Sequence, residues 1–271
     1  MKKWLAAILL LVLCLTAISA QASQMLNIYI DKDAFLAHDI SSADIRIRPE
    51  GMVRVTRHSL WPWDEEGTQW SLFVEIENTS KEKIVVDDTW LIACKANRDE
   101  IATADYVLDA TDNVLDPGER TVLYAGVEEW MMPTDYHDVS EFKAVEGLSE
   151  FAGKIRRADI LRLRLNTRGG ESTANWAKED VNARVWIENG KTCFEMVNDT
   201  QQPMAFRTIG VLVSDACGRL MDVLRFSYAR GAQAQPGETI AFEKALQPYI
   251  TDEMAADAQF ETFAFSMPDS L

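Results

Sequence analysis

Residues 58–70, HSLWPWDEEGTQW, set Trp61, Trp63 and Trp70 around the acidic turn Asp64-Glu65-Glu66-Gly67. Indole rings beside carboxylates can stack on a sugar ring and accept its hydroxyl protons, or hold a basic peptide. Trp61, Trp70, Asp64, Glu65 and Glu66 are therefore the candidate ligand-binding residues. If residues 64–67 form a four-residue hairpin loop, Trp61 lies opposite Trp70 and Trp63 opposite Thr68. All four then share the face that continues into Leu72, Val74 and Ile76. Two readings follow: burial, in which the rings lengthen the core, or an exposed stacking platform. Trp186 precedes Gly190 as Trp63 precedes Gly67, which favours a structural role for Trp63.

Other chemistry is sparse. The three histidines, His38, His58 and His137, stand in separate segments. No serine or cysteine has a nucleophile-elbow or papain-like context, and no Gly-rich phosphate loop, CxxC pair or zinc spacing occurs. No catalytic residue, metal or cofactor is assigned. Asp105, Asp109, Asp112, Asn113 and Asp116 are oxygen-rich, but they lack the spacing of an EF-hand loop and read as a solvated acidic edge. Asn78-Thr79-Ser80 and Asn198-Asp199-Thr200 match the glycosylation acceptor pattern. Their equivalent places in a repeat point instead to turn chemistry.

That repeat organises the chain. Residues 72–101 align on residues 192–221 without a gap, Glu75 meeting Glu195 and Asn78 meeting Asn198. LDPGERTVLYA from Leu115 then answers AQPGETIAFEK from Ala234, and residues 158–165 answer 258–265. Each copy alternates apolar and polar residues with period two, as in Trp70, Leu72, Val74 and Ile76, the pattern of strands with one buried face. The prediction is all-β: two tandem immunoglobulin-like β-sandwich domains. Residues 50–167 form the first and 181–271 the second, with a linker at 168–180. Val139, Phe142, Val145 and Leu148 recur at helical spacing and predict a short helical insertion over 133–154 of the first domain. Residues 23–49 hold a strand candidate at Leu26 to Ile30 and helical turns near Asp33 to His38, without a place in the fold.

The run SLFVEIENTSKEKIVV followed by LDPGE resembles the small extracellular immunoglobulin-like domains of bacterial surface proteins, of the FxLYD type and its relatives. The resemblance covers about 60 residues of each copy, and the second copy departs from it at FEMVNDTQQPM. It implies a fold and a location, and no mechanism.

Residues 1–22 carry Lys2 and Lys3, an apolar run from Trp4 to Leu15, and the small-residue exit Ala20-Gln21-Ala22. This is a secretory signal pattern with cleavage after Ala22. The apolar run falls short of the roughly 20 residues that span a bilayer. Cys14 follows Leu13, where a lipid-attachment site wants a small residue. Cleavage removes two lysines and moves the formal charge from −16 to −18. Such a field disfavours nucleic acid and anionic membrane as partners. Cys94, Cys193 and Cys217 remain, allowing at most one internal disulfide. The sequence thus predicts a secreted, non-enzymatic protein that binds a glycan or protein ligand at the bacterial cell envelope. The alternative is a glycan or cell-wall hydrolase working through paired carboxylates.

Overall fold

The computed structural model describes residues 24–37, 44–62, 70–104, 109–110, 114–125, 157–169, 177–179, 183–204, 206–227 and 234–266. It is all-β, as the period-two alternation predicts. The first half contains β1 (Gln24–Asp31), β2 (Ile45–Arg48), β3 (Val53–Pro62), β4 (Trp70–Asn78) and β5 (Ile84–Cys94). It continues with β6 (Glu100–Ala104), β7 (Asp109–Ala110), β8 (Val114–Leu115), β9 (Arg120–Ala125) and β10 (Ile160–Gly169). The second half contains β11 (Ala177–Glu179), β12 (Ala183–Glu188), β13 (Lys191–Val197), β14 (Phe206–Ser214), β15 (Leu220–Ser227), β16 (Thr239–Ala245) and β17 (Gln259–Ser266).

Four sheets result. Sheet A runs β2-β1-β10-β5-β6 with β8 beside β5, and sheet B runs β3-β4-β9-β7. Sheet C runs β11-β17-β14-β15, and sheet D runs β12-β13-β16. Sheets A and B enclose Leu26, Ile28, Ile30, Leu72, Val74, Ile76, Leu161, Leu163 and Leu165, all buried in one cluster. Sheets C and D enclose Phe194, Met196, Ile209, Val211, Val213 and Ile240. Each such side chain stabilises the fold by about 1.5–3 kcal/mol relative to exposure, which is why the alternation dictates the layers.

The strand orders correspond. β3-β4-β9 is matched by β12-β13-β16, and β10-β5-β6 by β17-β14-β15. The turns after β4 and β13 correspond bond for bond. The Asn78 amide donates to the carbonyls of Glu82 (2.8 Å) and Leu115 (3.0 Å), and that of Asn198 donates to Gln202 (2.9 Å) and Ala234 (2.8 Å). Their side-chain oxygens accept the N–H groups of Ser80 (2.9 Å) and Thr200 (3.0 Å). Both asparagines are fully buried and bond the turn backbone, so they are turn residues, as their aligned places in the sequence predict.

The N-terminal segment that the sequence leaves unplaced belongs to sheet A, where β1 lies between β10 and β2. Helix α1 (Lys32–Ala37) follows it, and the Asp31 carboxylate accepts the Ala34 N–H at 2.9 Å, an N-cap bond. Phe35 of α1 is buried in the first core. Both ends of the stretch read as a linker are in strands: β10 reaches Gly169, and β11 pairs with β17. A second helix, α2 (Asp252–Ala256), precedes β17 and is capped by Thr251. The helix expected over 133–154 lies outside the described residues. Cys94, Cys193 and Cys217 are free thiols.

The sequence expectation for the tryptophans is corrected at two points. First, Trp61 is opposite Ser71, not Trp70, and Trp70 is opposite Pro62. A β-bulge between Val55 and Arg57 inserts Thr56, and one extra residue moves every later side chain of β3 to the other face. Leu60, opposite Leu72, takes the core position instead. Second, β4 does not have one buried face and one solvated face. Ser71, Phe73 and Glu75 are buried along with Leu72, Val74 and Ile76, because the outer face of sheet B lies against the second half of the chain.

Candidate functional site

The contact between the halves is built from residues that alternate outward on β3, β4 and β9. Phe73, Val122 and Tyr124 of sheet B pack with Leu212, Leu220 and Val223 of sheet C, and Trp61 closes one edge of this layer. The Trp61 indole N–H donates to the carbonyl of Leu220 at 2.6 Å, and the Ser59 hydroxyl donates to the same oxygen. The Trp61 ring is stacked with Tyr249 at 6.0 Å between centroids, with the planes 4° apart. The Tyr249 hydroxyl donates to the Met221 carbonyl at 2.7 Å.

Over the Trp61 ring lies the Arg219 guanidinium, 5.2 Å from the centroid. Arg219 is fixed by Asp215, whose carboxylate accepts its Nε–H at 2.5 Å. The same carboxylate accepts the backbone N–H groups of Cys217 and Arg219, both at 2.9 Å. A cation held over an indole face is worth about 0.5–2 kcal/mol, more as water is excluded. Trp61 therefore spends its ring and its N–H on the second half.

A charged cluster continues the contact. Arg57 donates to both carboxylate oxygens of Glu75, at 2.6 and 3.1 Å, and crosses to Glu261 of β17 at 2.6 Å. Its guanidinium also reaches the Ser214 hydroxyl at 3.4 Å. The bulge residue Thr56 donates its hydroxyl to Glu75 at 2.5 Å. Burial by itself would raise the Glu75 carboxyl. The Arg57 and Thr56 hydrogen bonds, with the charges of Arg57 and Arg120, outweigh it and hold that carboxyl below the usual range. Burial likewise opposes the charge on Arg57, and its bonds to Glu75 and Glu261 overcome it. The Cys94 and Cys193 thiols are pushed up by burial.

Of the five candidate ligand-binding residues, the structure places Trp61 in the contact between halves and Trp70 at the start of β4. Asp64, Glu65 and Glu66, with Trp63, lie outside the described residues. Asp116 of the aspartate-rich edge pairs with Lys83 at 3.1 Å. Sequence reasoning missed Ser59, Arg57 and Glu75. A signal for the first two was present: Val53, Val55 and Leu60 are apolar at an odd spacing, which alternation allows only across a bulge.

No family model matches the chain, and no curated protein matches it. Among solved structures, a red sea bream transglutaminase aligns at a TM-score of 0.20 and 10% identity, over 79% of this chain and 31% of that one. Dimeric latent PorU from Porphyromonas gingivalis aligns at 0.21 and 12% identity, over 80% and 19%. The apo β-glucuronidase 3 of Bacteroides uniformis aligns at 0.15 and 8%, over 90% and 36%. The chain thus spans well under half the length of each.

Proposed function

We propose that this chain is an exported bacterial protein that binds a glycan or protein ligand at the cell envelope without catalysing a reaction. Its framework is two tandem immunoglobulin-like sandwiches that descend from one duplicated unit. The observation that carries the binding reading is the contact around Trp61, Arg57 and Glu75. Its aromatic and charged side chains are engaged in setting one half against the other, which makes a rigid platform and leaves them no free group for acid–base work. The matching bonds of Asn78 and Asn198 support the duplication. The basic and apolar start of the chain and the exit at Ala20-Gln21-Ala22 support export.

Expression of the full chain in a bacterial host, followed by intact mass of the exported form, tests the location. A start at Ser23 is expected, and a lipid adduct on Cys14 would contradict it. Incubation with isolated cell-wall sacculi and envelope glycans tests the activity. Co-sedimentation without new reducing ends or released fragments is the expected result. Released fragments would make the chain a hydrolase.

A further inference from the structure

Sheet A has a face opposite its core, and that face is basic in a chain whose formal charge is −16. Tyr29 of β1 stands between Arg46 of β2 and Arg162 of β10, and Asn27 stands between Arg48 and Arg164. With strands about 4.8 Å apart, the arginine positions on β2 and β10 are about 10 Å from each other across the sheet. Arg46 and Arg48 are exposed, while Tyr29 and Arg164 are half-buried. Aromatic rings pin the guanidinium groups: Arg162 lies 5.9 Å from the Tyr29 centroid, and Arg164 lies 5.8 Å from that of Trp90. Arg162 and Arg164 both bond Glu100, and Arg48 bonds Glu50.

A further guanidinium reaches this face from the turn between β5 and β6. Arg98 lies 5.1 Å from the Tyr29 centroid. Its backbone is left-handed, with φ at 71°, a conformation that disfavours any side chain with a Cβ. The aligned position in the second half is Gly218, at φ 79°. The two turns share their bond: Arg98 N–H donates to the Lys95 carbonyl at 2.8 Å, and Gly218 N–H to that of Asp215 at 2.9 Å. One turn thus uses the residue that its backbone favours, and the other carries an arginine in the same strained place. A side chain kept against local backbone preference points to use.

Arg162 adds a fixed charge beneath this face. It is 9% exposed, and its guanidinium is held by Glu100 and by the Tyr29 ring. A guanidinium held in this way keeps its position when a ligand arrives, so little ordering opposes binding.

We propose that this outer face of sheet A, centred on Tyr29 and Arg98, binds a carboxylate-bearing polysaccharide. This deepens the binding function proposed above and rests on it. Planar guanidinium forks match carboxylates in two-point hydrogen bonds. The spaced arginine rows suit a chain whose charges recur at intervals along it. A nucleic acid, with one charge per ~1.7 Å of duplex, would meet the repulsion of the remaining acidic surface. A glycan with one carboxylate per sugar has a lower charge density than duplex DNA and meets less of it.

The test uses the exported full chain, with polygalacturonate as probe, neutral dextran as control and a single-stranded DNA oligonucleotide as competitor class. Wild type should bind polygalacturonate, more weakly as salt is added, and should not bind dextran. Arg98→Gly should weaken that binding about tenfold or more, while its melting temperature stays level or rises because the backbone strain is relieved. Arg162→Gln should weaken it as well. Failure of wild type to bind polygalacturonate, equal affinity in Arg98→Gly, or preference for DNA would each overturn the assignment. Sacculus binding that Arg98→Gly leaves unchanged would overturn this face alone and leave the wider binding function standing. Loss of wild-type binding to every envelope glycan and protein fraction would remove both.

Discussion

The indole N–H of Trp61 meets the backbone carbonyl of Leu220 at 2.6 Å, so a side chain of β3 caps the first residue of β15 across the contact between halves. Trp61 thereby links two layers. Trp61→Ala should lower stability by about 2–3 kcal/mol, since it removes the ring from Tyr249 and Arg219 and leaves the carbonyl one donor short. Trp61→Phe, which keeps most of the ring contact, should cost about 1 kcal/mol. Urea denaturation read as midpoint and slope checks both.

The Arg57–Glu75 pair should make stability depend on acid. The folded Glu75 carboxyl lies below its usual range, so its contribution is fully present above the ordinary carboxylate pKa. It is lost as pH falls through the lower folded value, because the unfolded chain takes up the proton first. Glu75→Gln should cost about 2 kcal/mol at neutral pH and flatten the acid limb of the stability curve. Arg57 keeps Glu261 as a partner in that variant, which is why the cost stays below that of an orphaned buried charge. Denaturant melts between pH 3 and 7 give the measurement.

Asn78→Ala and Asn198→Ala should cost alike, about 2 kcal/mol each, because each removes the same pair of amide donors from two carbonyls. Their effects should add in the double variant, since the two turns share no partner. Thermal melts of the three variants test this.

The strands and the two asparagine turns were legible because both are local: period two sets the layers, and an Asn side chain bonds the backbone two residues on. The face of Trp61 was not legible by counting from the hairpin loop, because the strands leave that loop with Pro62 opposite Trp70 and Trp61 opposite Ser71, one residue out of step with a four-residue loop at 64–67. The burial of Glu75 had no local signal. A charged residue in an alternating strand reads as solvated, and only the second half of the chain, arriving far along the sequence with Ser214 and Glu261, covers it. Arg98 was legible in part, since the alignment sets it on Gly218, but the ring beneath it comes from β1, a segment whose place the sequence did not reveal.

The outer face of sheet B is an internal interface, and through it the halves present their surfaces as one body. Equilibrium unfolding in urea, followed at once by tryptophan fluorescence and by far-ultraviolet circular dichroism, tests it most directly. The expected result is one coincident transition in the wild type that separates into two when Trp61 and Phe73 are both changed to Ala. Two transitions already present in the wild type, with midpoints that the double change leaves in place, would contradict it.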